Sequence, residues 1–413
     1  MADGGATPFG DVVLLASASR SGSSMVADWL RARSSAVHLQ GEFETVLREA
    51  GAVARTPLHA GESDADIDLA DGRSDRVIAL LGAALGAPLA SDAPLDAQAY
   101  ARSLYEALER QWPGIDLDHA STQHLTQAIF AGRGWTRAGQ FDRWTFLLDV
   151  VAALRSTHAG LDPYCYDVAE TLVRTRFPSL APNGAAPDPD CDEDRPFIIP
   201  VPWHACASAV RPATVVLKGP SCSYRIGALR TVFGRDRLRI LHVVRDPAAS
   251  INGLIDGWRH RGFQSRHLAE PLDLRGLDQR DQAWTQHWWC FDVPPGWERY
   301  RGASLADVCA FQWRSANARI LEHAQTAGAR YRRVRFEDFL DPGARGLQVR
   351  RSLLDWIKPG DGTTAALGLD PRPVMATVPP CRGRWRTRRA VLEPVLGEPE
   401  VRRVRSALGY TGG

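Results

Sequence analysis

Lysine is nearly absent from this 413-residue chain. Of its 50 lysines and arginines only Lys218 and Lys358 are lysines, which leaves 48 arginines. Such a bias is typical of a GC-rich, bacterial genome. Arginine is therefore the default positive charge, and a lysine indicates a position where a compact point charge has a specific use.

Long apolar runs and paired cysteines are lacking as well. The first apolar run, residues 12–16, is too short for a signal peptide or a membrane span. The seven cysteines are dispersed and form no C-x-x-C pair, which favours reduced thiols in a cytoplasmic protein. Zinc-ligand spacing is missing, so we expect no metal site.

The composition is otherwise that of an ordinary globular protein. Hydrophobic residues make up 44% and charged residues 24%, which excludes a disordered, collagen-like or disulfide-scaffold chain. The net charge of 50 − 48 = +2 argues against a nucleic-acid partner. Any affinity for anions must come from local sites, and the oligomeric state stays open.

Strand and helix patterns alternate at both ends of the chain. Apolar runs at residues 12–15, 214–217 and 240–244 predict buried parallel strands, with further strands at 37–40 and 331–336. Helical spacing follows at 25–33, 251–258 and 311–327. We therefore predict one α/β domain over residues 10–410, a short parallel sheet flanked by helices, with ligands at the carboxyl ends of the strands.

The long middle, residues 56–213, is predicted to be a mostly helical insertion. Helical patches lie at 76–85, 99–111, 119–131 and 142–156, whereas 51–75 and 86–98 resemble loops. Residues 181–196 are rich in proline and acidic side chains, which predicts a mobile surface loop.

The first strand runs into Ser19-Arg20-Ser21-Gly22-Ser23-Ser24 and then into a helix. Backbone N–H groups at a helix N-terminus bind oxyanions, and hydroxyls and a guanidinium add charge-assisted hydrogen bonds. A Walker A motif is absent. The alternative is a generic Ser/Gly turn before a helix.

A second strand end carries Arg245-Asp246-Pro247. Asp246 suits the N-cap and Pro247 the first turn of the following helix. Alone this signal fits a capped helix with a solvated arginine. Together, two anion-binding strand ends at one sheet edge predict a ligand with separated anionic groups.

Four segments in order resemble the sulfotransferase family. Residues 15–24 are similar to its 5′-phosphosulfate loop, 241–247 to its 3′-phosphate motif, and 334–339 to its downstream "YEDL" strand. Arg382-Gly383-Arg384-Trp385-Arg386 and the final helix before Leu408-Gly409-Tyr410 resemble the closing segment of bacterial members.

The resemblance implies a P-loop-like sulfotransferase fold and the donor 3′-phosphoadenosine 5′-phosphosulfate. The sulfuryl group would pass to a hydroxyl or amine of a small-molecule, glycan or lipid acceptor, for instance in specialised metabolism. Residues 56–213 have no counterpart and would form the acceptor side. The rivals are a P-loop kinase or nucleotidase, and a non-catalytic member that binds a nucleotide or a partner protein.

Roles for individual residues follow from the resemblance. Arg20 with the loop residues Ser21, Gly22, Ser23 and Ser24 would hold the phosphosulfate. Lys218 matches the "K-x-P" lysine and would stabilise the leaving oxygen, unless it is an ordinary surface lysine.

The general base departs from the common pattern, because the histidine expected after Lys218 is replaced by Ser221 and Cys222. Glu42, after the second strand, fits the glutamate of other members, and Glu44 is the alternative. Both remain open to being solvated or salt-bridged carboxylates.

The 3′-phosphate would be bound by Arg245. The family's serine eight residues later is Gly253 here, so Ser250 or the Gly253 amide is expected to substitute, with Arg382 and Gly383 closing over the phosphate. Phe336 packs on the adenine or in the core. Five of the 13 tryptophans, which serve core packing or an acceptor pocket, form a cluster: Trp284, Trp288, Trp289, Trp297 and Trp313.

Overall fold

The computed structural model describes residues 9–53, 57–113, 115–181, 193, 195–205, 213–260, 263–277, 285–358, 376, 378 and 380–410. Most of the predicted mobile loop at 181–196, and Trp284, lie outside the described residues. Within the described part, no helix is long and apolar enough to cross a membrane.

In the described part of the chain, nine strands form two sheets. They are β1 Val12–Ala16, β2 Val37–Leu39, β3 Leu85–Pro88, β4 Trp203–Ala205, β5 Val215–Lys218, β6 Leu238–Val244, β7 Ser265–His267, β8 Trp288–Cys290 and β9 Tyr331–Arg335. The large sheet has the order β4-β3-β2-β5-β1-β6-β9, and β7 pairs with β8. The strands β2, β5, β1, β6 and β9 are parallel, whereas β3 and β4 join antiparallel. The predicted α/β class is confirmed, with a mostly parallel sheet.

The helices are α1 Ser23–Arg33, α2 Phe43–Glu49, α3 Arg73–Ala84, α4 Ala97–Gln111, α5 His119–Arg133, α6 Arg143–Leu154, α7 Glu170–Arg176, α8 Cys222–Phe233, α9 Pro247–Trp258, α10 Leu305–Ala324, α11 Phe336–Phe339, α12 Ala344–Ile357, α13 Arg389–Leu396 and α14 Pro399–Ala407. All four helical patches predicted in the middle region are present as α3 to α6.

The apolar run of β1 is continuous because both faces of the strand are buried. Val12 and Leu14 pack with α2, α3 and α8 on one face of the sheet. Val13 and Leu15 pack with α1 and α12 on the other face. Alternate side chains of one strand therefore supply two core layers, which gives helix–sheet–helix layering.

The middle region has its own aromatic core and also reaches the sheet. Helices α4, α5 and α6 pack around Tyr100, Phe130 and Phe146. The expectation that residues 86–98 are entirely loop is wrong, because β3 extends to Pro88 and pairs with β2 and β4. Short apolar segments such as this carry too little periodicity to identify a strand.

Two predicted boundaries also differ. The strand predicted at 331–336 ends at Arg335, and Phe336 begins α11. The helix predicted from 311 begins at Leu305, because Ser304 and Asp307 form a capping box. Among the clustered tryptophans, Trp289, Trp297 and Trp313 are fully buried in one hydrophobic core.

Candidate active site

A cavity of about 780 Å³ lies at the carboxyl ends of the five parallel strands. Its lining includes eleven of the thirteen predicted site residues: Arg20, Gly22, Ser23, Ser24, Glu42, Lys218, Arg245, Gly253, Phe336, Arg382 and Gly383. Ser21 and Ser250 do not line it. Their side chains are fully buried, and their hydroxyls form a hydrogen bond of 3.3 Å to each other behind the loop.

The loop before α1 turns sharply at Gly22. Gly22 is the N-cap of α1 with a φ of 91°, and a Cβ atom there would lie 2.3 Å from Phe336 Cε2. Only glycine fits this combination of left-handed backbone and close approach. Because glycine has no side chain with which to cap the helix, the first N–H groups of α1 remain suited to an anion in the cavity.

Arg20 lies beside this turn. Its guanidinium stacks over the Phe263 ring at 4.5 Å from the centroid. Burial, followed by the nearby charge of Arg245, lowers the pKa of Arg20 to about 10, and Arg384 acts in the same direction. With a pKa of about 10, Arg20 is still charged at neutral pH, and its repulsion by the neighbouring arginines favours an anion between them.

Arg245 joins the two strand ends. Its Nη1 donates to the Arg20 carbonyl at 3.2 Å, and its guanidinium lies 5.3 Å from the Phe336 centroid. Burial lowers the pKa of Arg245. The predicted cap of α9 is present, since Asp246 Oδ1 accepts from the Ala249 N–H at 3.0 Å. The Arg245 guanidinium thus contacts the loop before α1, and the capped start of α9 fixes the backbone that follows Arg245.

Glu42 and Lys218 form an ion pair on the cavity wall. The Glu42 side chain is 3% exposed and that of Lys218 18%. Glu42 follows β2, which ends at Leu39, and is the N-cap of α2, whereas Glu44 lies in the first turn of that helix. Carboxylates are favoured there by the helix dipole.

Glu44 has a different environment from Glu42. It is 1% exposed, does not line the cavity, and forms an ion pair with Arg225. Arg266 lies 3.7 Å from Glu44 and 2.9 Å from Asp64, which closes a buried network of four charges. The two carboxylates that the sequence left as alternatives therefore differ in access to the cavity.

The closing segment is anchored to α9. Asp256, on α9, accepts hydrogen bonds from both Arg384 and Arg388. Arg388 also donates to Asn252 Oδ1 at 2.9 Å. Sequence reasoning found Arg382 and Gly383 but missed Asp256, because its partners lie more than a hundred residues away in the chain.

Asp292 and its hydrogen bond to Ser19 were also missed. The Ser19 hydroxyl, on the cavity wall, donates to Asp292 Oδ1 at 2.6 Å, and Tyr224 donates to the other carboxylate oxygen at 2.6 Å. Burial raises the pKa of Asp292 to about 6. The Asp292 carboxylate thus links the loop before α1 to α8. No local sequence pattern identifies Asp292 as a residue of the site.

A further wall of the cavity contains Phe263, Gln264 and Phe291. Phe291 has a φ of 66°, a left-handed conformation that is rare for a bulky side chain and typical of functional sites. Among the described residues, no group of three or more histidine, cysteine, aspartate or glutamate side chains is arranged to hold a metal ion.

Comparisons with known proteins give one match. No family model and no curated protein matches the chain. Among solved structures, the chain is similar to a sulfotransferase domain from the curacin biosynthetic pathway, with 12% sequence identity and a TM-score of 0.35 over 98% of this chain and 99% of that domain.

Proposed function

We propose that this protein is a sulfotransferase that moves a sulfuryl group from 3′-phosphoadenosine 5′-phosphosulfate to a hydroxyl or amine of a small-molecule, glycan or lipid acceptor. One observation carries the proposal. The two strand ends that are suited to separated anionic groups, at Gly22 and at Arg245, line the same cavity of about 780 Å³.

The donor's 5′-phosphosulfate is assigned to the N-terminus of α1, with Arg20, Ser23 and Ser24. Its 3′-phosphate is assigned to Arg245 with the closing residues Arg382 and Gly383. All of these residues line the cavity, and their charge suits a polyanion.

Ser250 and Gly253, which are expected to replace the family's serine, also contact the loop before α1. Ser250 supports it by bonding to Ser21. Gly253 lies inside α9, where backbone N–H groups bond to carbonyls one turn earlier. Its missing side chain leaves space for Arg20, whose Cβ would lie 3.4 Å from a Cβ at position 253. Phe336 contributes a mostly buried ring beside the nucleotide, packed against Gly22.

The chemistry needs a base and a cation. The acceptor oxygen forms a bond to sulfur while the bond between sulfur and the bridging phosphate oxygen breaks. Glu42 takes the acceptor proton, and Lys218 and Arg20 stabilise the negative charge on the leaving oxygen. Protonation of Glu42 removes its attraction for Lys218, so the ammonium charge becomes available as the leaving oxygen becomes negative.

Nucleotide binding tests the proposal directly. Adenosine 3′,5′-bisphosphate should raise the melting temperature clearly, by the equivalent of about 2.7 kcal/mol at a concentration of 100 times its Kd. AMP, which lacks the 3′-phosphate for Arg245, should give a much smaller shift. Differential scanning fluorimetry with both nucleotides measures this, and equal shifts would contradict the 3′-phosphate assignment. Hydrolysis of ATP with magnesium would favour the kinase or nucleotidase instead.

Arg245→Ala should weaken the affinity for adenosine 3′,5′-bisphosphate by roughly 10- to 100-fold, because a charge-assisted contact is lost. Arg245→Lys should recover only part of it, since an ammonium lacks the planar fork. Isothermal titration calorimetry gives the comparison. Arg319→Ala is the matched control, because Arg319 is exposed, pairs with Glu322 on α10 and does not line the cavity. Unchanged affinity in Arg245→Ala would remove this residue from the donor site.

A further inference from the structure

Gln264 is a buried residue of the cavity wall whose carboxamide has no hydrogen bond to any described residue. The residue is 3% exposed and lines the cavity. Neither its side-chain oxygen nor its nitrogen has a hydrogen-bond partner among the described residues. Buried amides are nearly always satisfied, because an unmade hydrogen bond costs free energy, so this group is suited to a ligand.

The surroundings of Gln264 are aromatic. Phe263 and Phe291 also line the cavity, and their ring centroids lie 5.3 Å apart. The Phe291 N–H donates to the Gln264 carbonyl at 2.8 Å, which fixes the backbone of both residues. The left-handed backbone of Phe291 directs its ring against Gly257, where a Cβ atom would lie 2.3 Å from the ring. The wall is therefore apolar and rigid, with one polar group in it.

This wall adjoins the phosphosulfate loop. The Arg20 guanidinium, which is assigned to the transferred group, stacks on the Phe263 ring. The residue next in the chain, Gln264, therefore lies near the end of the donor where the acceptor must enter. The residues assigned to the 3′-phosphate come from other segments, the end of β6 and the closing segment.

We propose that Gln264 binds the acceptor, and that the acceptor is an apolar, hydroxylated molecule that carries an amide group. An amide presents a donor and an acceptor side by side and so satisfies both atoms of the Gln264 carboxamide. Its apolar body packs on Phe263 and Phe291. The inference rests on the proposed sulfuryl transfer and specifies the substrate class.

Two phenols that differ in the amide alone test this. The probes are 4-hydroxyphenylacetamide and 4-ethylphenol, titrated into the protein with and without adenosine 3′,5′-bisphosphate. The wild-type protein should bind the amide at least about 10-fold more tightly, because a site with a polar group discriminates against a ligand that cannot pair with it. Gln264→Leu should reduce the preference to within about two-fold, and Gln264→Glu should weaken amide binding by removing the donor.

Control measurements separate binding from folding. Gln286→Leu makes the same change at an exposed side chain of the same region and should keep the preference. Gln264→Leu should melt no lower than wild type, since it removes an amide that has no hydrogen-bond partner among the described residues. A purely structural role would lower the melting temperature instead.

Several outcomes would overturn the inference. Equal or undetectable binding of the amide probe by the wild-type protein would do so, as would an intact preference in Gln264→Leu. A loss of nucleotide binding in Gln264→Leu would assign the amide to the donor and leave sulfuryl transfer standing. Failure of the wild-type protein to bind adenosine 3′,5′-bisphosphate would refute the sulfotransferase proposal, while the probe preference would still report on Gln264.

Discussion

Glu42→Gln is expected to lower turnover by roughly 10²–10⁴-fold, the usual contribution of one general base. The substitution keeps size and polarity but cannot take the acceptor proton. Donor affinity should stay nearly unchanged, since Glu42 carries no charge that attracts the nucleotide. Initial rates of sulfate transfer from the labelled donor to a panel of hydroxylated acceptors measure the effect, and nucleotide titration measures the affinity.

Glu44→Gln is the matched control for Glu42. Because Glu44 pairs with Arg225 in a closed network, its loss should lower stability, by a few kcal/mol for a broken buried pair, and leave turnover per folded molecule close to wild type. An inactive, folded Glu44→Gln beside an active Glu42→Gln would move the base by two residues. Activity in both variants would place the base elsewhere, or indicate an acceptor acidic enough to need none.

Lys218→Ala should reduce turnover by about 10²–10³-fold, the range for removing one group that stabilises an oxyanion. Nucleotide affinity should change much less, because the leaving oxygen gains its charge only in the transition state. Single-turnover rates together with titration of adenosine 3′,5′-bisphosphate separate the two effects. Turnover within a few-fold of wild type would make the rarity of lysine in this chain a coincidence.

The ion pair adds a sharper test of Lys218. Since Lys218 and Glu42 contact each other, the double variant Glu42→Gln/Lys218→Ala should be less impaired than the product of the two single losses. Lys358→Ala is the control for the other lysine, which is exposed and bonds to Ser35. Strict multiplicativity of the Glu42 and Lys218 effects would argue that they act independently.

Much of the candidate site around the loop before α1 could be predicted because its residues are contiguous in the chain. The strand, loop and helix over residues 12–33 follow from an apolar run, a glycine and helical spacing. Asp246 and Pro247 correctly predicted the start of α9, because aspartate is favoured at the N-cap and proline in the first turn of a helix. The carboxyl ends of parallel strands meet at one edge, so it followed that Arg20, Lys218 and Arg245 lie together, and all three line the cavity.

The remaining features depend on contacts between distant segments. The pairing of Glu42 with Lys218 spans 176 residues and that of Ser19 with Asp292 spans 273. No periodicity encodes such distances. The short antiparallel strands β3 and β4 were not predicted for a related reason. Their strand conformation depends on the strands with which they pair more than on their own residues. Gln264 differs from any other glutamine only in what surrounds it.

The tie between Asp256 and the closing segment bears on the kinetics of nucleotide exchange. Arg384 and Arg388 are held by a carboxylate of α9, so this side of the cavity is built from contacts within the protein itself. A nucleotide that enters therefore loses little affinity to ordering these side chains. Association should then be limited by diffusion and electrostatic attraction to the arginines, and the residence time of the nucleotide product would be determined by its own phosphate contacts.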